Sequence, residues 1–468
     1  MSYSNFLESK KNACLKLIEI MSKEYSYVSI LGTHVSGRQV RVDDKTTGIA
    51  GSRDEDCGFV IKFYNQNHYS EYSCDNIDEK SLPELIKKIK DATNLTSDIT
   101  KNCVEAGILQ EEKIKKSFSR KPEGKKFSLQ EIVEKLKSAK DEIMKTDPLV
   151  INGITAYNSM TVSKCFYSAN KELEQYYTWT DIQVVAVVRK ENNVKYYYDN
   201  ISDSSEEICF EKLNKALPDI VKTAILLLDS KPCPPGVYDV ITDPSITGLI
   251  AHEAFGHGVE MDMFVKNRAL AKDYIGKSIA SSLVKMHDGA ASAENVASYF
   301  FDDEGLLAQD TVIINEGILQ TGISDCLSAL QLGTAPTGNG RRESYKRKAY
   351  SRMTNTFFGP GNSTLDDMIK SIKHGYYIST TSNGMEDPKN WGIQCVALYG
   401  KEIKDGRFTG AIFSPIVMSG NVLDLLKSIS MVSKDFTLAG GGFCGKGYKE
   451  WVRVSDGGPY LKARVKLG

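Results

Sequence analysis

Residues 232–260 read PCPPGVYDVITDPSITGLIAHEAFGHGVE and decide how the chain is divided. The Pro/Gly cluster at 232–236 cannot continue a helix or a central strand. It therefore predicts a boundary between an N-terminal domain at 1–231 and a C-terminal domain at 232–468. Two domains also suit the length, because 468 residues exceed what one ordinary core organises.

A helix that begins shortly after this cluster carries two histidines. Asp243 followed by Pro244 is typical of an N-cap and a first helical position, and the segment His-Glu-Ala-Phe-Gly-His follows. A catalytic zinc ion takes three protein ligands, and hydrolysis needs a carboxylate beside the open position. His252 and His257 could supply two ligands, and Glu253 could act as the base.

The spacing of the two histidines predicts a distorted helix. Five residues at about 100° each would turn the rings roughly 140° apart in a regular α-helix, too far to share one metal ion. We therefore predict a π-type bulge or a similar distortion between Ala254 and Gly258. The alternative is a pair of histidines hydrogen-bonded to polar neighbours inside a core.

The two halves of the chain differ in their patterns. Apolar residues recur at helical spacing at 6–25, 82–92 and 129–144, with strand-like alternation between and after them. Ser204 and Glu207 fit a capping box for a helix that Pro218 interrupts or kinks. The second half is rich in strand patterns. We predict an α+β fold: an N-terminal helix-plus-antiparallel-sheet domain and a β-rich C-terminal domain carrying the metal-binding helix.

Charge and composition argue against several classes of protein. The chain has 59 Lys plus Arg and 60 Asp plus Glu, so no net field attracts it to nucleic acid. No apolar run approaches the ~20 residues of a membrane span, and the N-terminus lacks a secretion signal. The ten cysteines are scattered singly, which argues against a disulfide framework. We expect a cytoplasmic protein that binds neither nucleic acid nor membrane.

The segment HEAFGHGVE at 252–260 resembles the signature of the TldD/PmbA family of metalloproteases, once described as modulators of DNA gyrase. Four more blocks follow in the order of the TldD branch, which retains the motif and is the active-subunit branch. They are DDEG at 302–305, PTGNGRRES at 336–344, RMTNT at 352–356 and FCGK at 443–446. The resemblance covers the second half strongly and the first half only in general layout.

The resemblance implies a zinc-dependent peptidase that hydrolyses unfolded peptides or flexible protein segments. His252, His257 and Cys444 would ligate Zn²⁺, and Glu253 would act as general base on a zinc-bound water. Sequence spacing alone does not pair Cys444 with the histidines, and a buried filler is its alternative. The family further implies a homodimer, or a heterodimer with a related subunit that lacks the motif.

Several neighbouring residues are candidates for supporting roles. Asn339, Arg341 and Arg342 could hold a peptide carboxylate or the oxyanion formed during attack, and a salt-bridged turn is the equal alternative. Glu260 could orient a ligating histidine, or could be an exposed carboxylate at a helix end. The DDEG block at 302–305 is expected to form a structural turn.

Competing interpretations remain for the motif and for the whole chain. Residues 440–446 fit most of a phosphate-binding loop, but Gly447 replaces the required Ser/Thr and a strand pattern follows, so we reject nucleotide binding. A non-catalytic TldD/PmbA-type partner subunit with a structural zinc is one rival, and four closed protein ligands would favour it. A gyrase-modulating interaction protein is the other, and salt-dependent DNA binding would favour it.

Overall fold

The computed structural model describes residues 3–65, 67–95, 105–122 and 124–468. Described helices of the first half are α1 (Asn5–Met21), α2 (Leu82–Leu95), α3 (Leu129–Thr146) and α4 (Glu206–Leu227). Its strands are β1 (Val28–Val42), β2 (Thr47–Gly51), β3 (Asp56–Asn65), β4 (His68–Cys74), β5 (Ile114–Ser119), β6 (Val150–Ser168), β7 (Lys171–Lys190) and β8 (Asn193–Asp203).

The second half contains shorter helices and more strands. The helices are α5 (Pro244–Leu249), α6 (Met261–Val265), α7 (Cys326–Leu332), α8 (Leu365–Lys370) and α9 (Val422–Ser428). The strands are β9 (Gly236–Thr242), β10 (Met286–Asp288), β11 (Thr311–Asn315), β12 (Ile318–Leu319), β13 (Gly340–Arg341), β14 (Tyr350–Ser351), β15 (Asn355–Phe358), β16 (His374–Asp387), β17 (Gly392–Lys404), β18 (Arg407–Phe413), β19 (Ile416–Asn421), β20 (Met431–Lys446) and β21 (Glu450–Leu467).

Each half is built around one large sheet. The first has eight strands in the order β4-β3-β1-β6-β7-β5, with β2 beside β1 and β8 beside β7. Its described pairs are antiparallel except β5 with β7. The second has eleven strands in the order β12-β11-β10-β15-β21-β19-β17-β16-β9, with β18 on β17 and β20 on β21. The fold is α+β, as predicted.

Apolar faces of the helices cover the first sheet. The helix α1 is capped by Ser4, whose side chain accepts the Leu7 N–H, and it buries Leu7, Cys14 and Leu17. The helix α3 has a complete capping box made by Ser128 and Glu131. Helix packing on the sheet therefore forms the core of the first half.

The predicted capping box of α4 and its predicted interruption at Pro218 were wrong, whereas the alternative, a kink at Pro218, stays a prediction. Its N-cap is Ser205, whose side chain accepts the Ile208 N–H, whereas Glu207 accepts the backbone N–H of Lys125. The helix also continues through Pro218 to Leu227. Buried apolar residues lie on both sides of the proline, so packing on the sheet outweighs the lost backbone hydrogen bond.

The two halves pack against each other through buried charge pairs and apolar contacts. The DDEG segment forms a turn in which Asp302 accepts the backbone N–H groups of Glu304 and Leu306, confirming the predicted structural role. Glu304 contacts Lys62 of β3 at 2.5 Å, and the neighbouring Asp303 pairs with Lys164 of β6. The turn therefore joins the second half to the first sheet.

The predicted boundary at 231/232 falls between α4 and β9, where the chain passes from one sheet to the other. Because residues of both halves share apolar clusters, independent folding of the two predicted domains stays a prediction. In the described ranges, no helix combines the length and the apolar character that a membrane span requires.

Candidate metal centre

The segment that carries the two histidines lies on a helix that changes its winding. Asp243 caps α5 by accepting the Ile246 N–H, and proline occupies the first turn as predicted. After α5 the backbone forms a π-helix over Ile250–Gly256 and then a 3-10 turn over His257–Val259. This confirms the predicted distortion. The wider π turn compensates for the extra residue between the histidines.

Glycine makes this winding compatible with close packing. A Cβ at Gly256 would lie 2.2 Å from Met353 Sδ and 2.9 Å from the Ala251 carbonyl oxygen. A Cβ at Gly258 would lie 2.6 Å from Glu386 Oε1. Gly256 therefore needs a residue without a side chain, because a methyl group would meet the backbone of the same helix, whereas at Gly258 the Glu386 carboxyl group would have to move.

The structure brings together the three side chains that the sequence suggested as ligands. One ligand atom from each of His252, His257 and Cys444 lies within 4.8 Å of the other two. Cys444 Sγ is 3.5 Å from His257 Nε2, and the two imidazole rings stand at 89° with centroids 5.2 Å apart. Among the residues described, this is the single group of this kind.

Cys444 reaches the histidines because of the β20–β21 hairpin. It lies on β20 directly opposite Val452 of β21, and it is buried beside the motif. The guanidinium of Arg352 donates to the Cys444 carbonyl oxygen at 2.6 Å and to the Glu450 carbonyl oxygen at 3.3 Å. These bonds hold the backbone of the cysteine in place from behind.

The electrostatics of the group favour a thiolate. Burial raises the pKa of Cys444, but His257 and His252 lower it more, so the net pKa lies well below the ordinary value. The same interaction raises the pKa of each histidine against the effect of burial. The three side chains therefore form a charge-coupled group, and a bound cation would take the place of the imidazolium protons.

The donor set fits zinc. Two imidazole nitrogens and one thiolate are ligands of borderline-soft type. With Zn–S and Zn–N bonds of ordinary length, a tetrahedral ion places nitrogen and sulfur ~3.5 Å apart, which matches the distance from Cys444 Sγ to His257 Nε2. Three protein ligands would leave one position open, as in catalytic rather than closed structural sites.

Glu253 stands beside the group without joining it. Its two carboxylate oxygens lie 3.9 Å from His252 Nε2 and 4.0 Å from His257 Nε2. The side chain is 24% exposed, and no hydrogen bond holds it within the described part of the chain. A carboxylate in this position can reach a water molecule at the open side of the metal site.

Glu260 supports His257 from behind. One Glu260 oxygen lies 3.1 Å from His257 Nδ1 and 3.0 Å from Lys446 Nζ, and Lys446 also contacts Asp262 at 2.6 Å. Burial would raise the pKa of Glu260, but Lys446 and His257 lower it to about 2. The carboxylate is therefore ionised and fixes His257 with Nε2 turned towards Cys444. Lys446, which the rejected phosphate-loop pattern included, forms part of this support.

The three residues suggested for substrate binding are occupied elsewhere. Asn339 is fully buried and donates to Asp288 and to a backbone carbonyl. Arg341 donates to the carbonyl oxygens of Met353 and Arg453. Arg342 forms a two-bond pair with Glu71 of β4. These contacts agree with the alternative of a salt-bridged turn. They do not support the substrate or oxyanion role, which stays a prediction.

Two carboxylates near the group escaped the sequence analysis. Glu386 of β16 accepts the Gly258 N–H at 3.1 Å, and Asp456 of β21 interacts electrostatically with His252, Glu253 and Cys444. Neither belongs to a recognisable motif. The alternation of Val452, Val454 and Asp456 along a strand predicts that they share one face. Only the register of the β20–β21 hairpin shows that this is also the face of Cys444.

Fold and site together define an α+β class of protein with two large sheets and a His–His–Cys group on a distorted helix. The model of the PmbA/TldA metallopeptidase C-terminal domain matches residues 235–466. A relative from Saccharolobus solfataricus, named a zinc metalloprotease TldD homolog, is 31% identical over 309 residues, 63% of this chain and 68% of the relative. The chain belongs to the PmbA/TldD family.

Other relatives match over shorter stretches. A Methanothermobacter thermautotrophicus protein named a metalloprotease is 35% identical over 241 residues, 52% of each chain. This chain thus matches about half the length of that relative. The crystal structure of TldE from Thermococcus kodakarensis has a TM-score of 0.74 at 19% identity, with 97% of this chain and 100% of TldE covered. At that identity, the likeness shows the fold alone.

Proposed function

We propose that this chain is a zinc-dependent peptidase that cleaves unfolded peptides or flexible protein segments. The observation that carries the proposal is the meeting of His252, His257 and Cys444, with the carboxylate oxygens of Glu253 3.9 and 4.0 Å from the Nε2 atoms of the two histidines. The names of the relatives support a metallopeptidase.

His252, His257 and Cys444 would hold the ion, with Glu260 fixing the ring of His257. When bound, Zn²⁺ acidifies a coordinated water and polarises the carbonyl of the scissile peptide. The protein supplies the geometry: the π-helix aims both imidazoles at one point, and the β20–β21 hairpin adds the thiolate from the other side.

Glu253 carries the proton in the proposed reaction. Its carboxylate accepts a proton from the attacking water as the water oxygen bonds to the carbonyl carbon of the peptide. As the C–N bond breaks, the same carboxyl group donates that proton to the leaving nitrogen, which departs as a neutral amine. The partial exposure of Glu253 and its freedom from hydrogen bonds in the described structure suit a group that must meet water and substrate.

The substrate would bind in an extended form. The strand β16 pairs with β17 along most of its length, but its pairing with β9 covers only Gly375 to Ile378. The later part of β16, beside the motif, has no second strand neighbour among the described residues. Main-chain pairing at such an edge gives binding with weak dependence on sequence.

A dimer completes the proposal. Membership of the family implies pairing of this motif-bearing chain with itself or with a related subunit that lacks the motif. Enclosure of the centre between subunits would exclude folded proteins and admit flexible segments. The non-catalytic partner and the gyrase-modulating protein remain the rivals, and the three-ligand arrangement favours the peptidase over a closed structural site.

Removal of the proposed base tests the function. We expect Glu253→Ala to keep stoichiometric zinc but to reduce cleavage of unstructured peptides by at least about 10³-fold, because the proton acceptor is lost and the ligands stay. Zinc content and kcat/KM are measured together. Exposed Glu19→Asn provides a control for the loss of one surface carboxylate. Normal turnover by Glu253→Ala would refute the assigned role.

A further inference from the structure

Two carboxyl groups besides Glu253 lie near the candidate centre, and neither forms an ion pair within the described ranges. Glu386 and Asp456 come from different strands, β16 and β21, and both interact electrostatically with groups of the centre. Within the described ranges, neither has an ion-pair partner within 4.0 Å. The nearby cation, Lys446, is committed to Glu260, Asp262 and the Ser351 carbonyl oxygen.

The hairpin register places Asp456 on the face that carries Cys444. Directly opposite residues of an antiparallel pair share a face, so Val452 faces the same way as Cys444. Side chains alternate along a strand, so Val454 and Asp456 share that face with Val452. The two valines belong to the apolar core that also contains Ala251 of the π-helix. Asp456 therefore points to the motif side of the hairpin.

Asp456 is only partly exposed, and it accepts no hydrogen bond from the described residues. A half-buried carboxylate with no partner is unfavourable until a cation meets it. The position is therefore complementary to a positive charge on a ligand.

Glu386 of β16 is a second carboxyl group near the centre. Its Oε2 accepts the Gly258 N–H, while its Oε1 is shielded from solvent and has no hydrogen-bond partner in the described structure. The next residue outward, Met385, is 61% exposed. Glu386 is therefore held against the motif, and the residue before it on β16 reaches solvent.

We infer that Asp456 is a specificity-determining residue that receives a cationic group of the bound peptide. The inference rests on the proposed peptidase function and names its substrate class. The ligand chemistry is an ammonium or guanidinium, from a Lys or Arg side chain or from a free peptide N-terminus. Asp456 lies four residues beyond Val452, about 13 Å along the strand, so it can meet a group within about four residues of the cleaved bond.

The test compares peptides that differ in one charge. A set of unstructured fluorogenic peptides carries Lys, Gln or Glu at successive positions, each with a free and an acetylated N-terminus. The readout is the ratio of kcat/KM for the cationic and the neutral peptide, so a general loss of activity does not imitate the effect. We expect a ratio of at least about ten at one position for the zinc-loaded protein.

Variants of Asp456 should change this ratio in a defined direction. Asp456→Asn should bring it close to one, and Asp456→Lys should reverse it in favour of the Glu peptide, because the charge that selects the ligand is removed or inverted. Asp435→Asn, an exposed carboxylate on β20, is the matched control and should keep the original ratio. Loss of the preference upon acetylation alone would assign the N-terminus as the source.

A second measurement separates this inference from the proposed function. Binding of the same peptides to zinc-loaded Glu253→Ala, followed by fluorescence anisotropy, reports charge preference without turnover. If the wild type does not cleave the peptides but still binds the cationic ones preferentially, the peptidase function is rejected and the cation-binding role of Asp456 is kept. Equal binding and equal cleavage of Lys and Gln peptides, or a preference that Asp456→Asn retains, would reject the role of Asp456.

Discussion

At the scale of single residues, the centre depends on a thiolate held between two imidazoles. Cys444 lies 3.5 Å from His257 Nε2, and the histidines lower its pKa although burial opposes this. Other buried cysteines of the chain show the opposite shift: burial raises the pKa of Cys395 to about 12. The neighbouring histidines, rather than burial, therefore distinguish Cys444 from a cysteine that only fills the core.

Replacement of this cysteine should weaken the metal site. We expect Cys444→Ser to lower zinc affinity by at least about 100-fold, since a hydroxyl is a poor zinc ligand where a thiolate is a strong one. Competition with a chromogenic chelator measures the affinity. Cys57→Ser, at an exposed thiol, is the control. Unchanged affinity in Cys444→Ser would remove this residue from the ligand set.

At the scale of elements, the π-helix is the feature that brings the two histidines of the motif close together. Its extra backbone residue per turn brings His252 and His257 to the same side although five positions separate them. The helix stays in this form because its neighbours fit closely. Met353 packs against Gly256, and Glu386 receives the N–H of Gly258. The winding and the contacts therefore support each other.

A methyl group at Gly256 tests the dependence of the site on this packing. Gly256→Ala should reduce the free energy of unfolding by about 1–3 kcal/mol and lower the zinc content, because the new Cβ overlaps Met353 Sδ and the Ala251 carbonyl oxygen. Chemical denaturation and metal analysis measure the two effects. Gly420→Ala, where a Cβ would meet nothing within 4 Å, is the matched control. Full zinc content with unchanged stability would contradict the packing argument.

At the scale of the whole molecule, ion pairs with at least one buried partner join the two halves. Arg342, which follows β13, holds Glu71 of the first sheet with two hydrogen bonds of 3.1 Å. Burial would raise the pKa of Glu71, but Arg342 and Lys62 lower it to about 2. The PTGNGRRES segment therefore contributes to the contact between the sheets, which explains why its arginines are drawn away from a substrate role.

The depressed pKa of Glu71 predicts how stability depends on pH. A carboxyl group whose pKa is lower in the folded than in the unfolded chain stabilises the fold above the unfolded pKa. That contribution is lost as pH falls from about 4.5, the ordinary value, to about 2.

Glu71→Gln should therefore be less stable than the wild type near neutral pH, with the difference shrinking over this acid range. Denaturant unfolding at several pH values measures it, and exposed Glu19→Gln is the control. A difference between wild type and Glu71→Gln that does not vary with pH would contradict the assignment.

The sequence by itself determined the features that depend on neighbours along the chain. The helical and strand patterns, the cap at Asp243 and the distortion between Ala254 and Gly258 follow from local spacing and backbone sterics, and the structure confirms them. Local reasoning failed at Pro218, where packing of α4 on a sheet outweighed the cost of a proline.

Only the tertiary structure decided which distant side chains meet. Cys444 reaches His257, and Asp456 faces the same centre, because the register of β20 and β21 places them there. The arginines at 341 and 342 turn instead to backbone carbonyls and to Glu71. Sequence distance carries no information on such encounters, since strand pairing and the burial of charge are settled by the free energy of the whole fold rather than by any one segment.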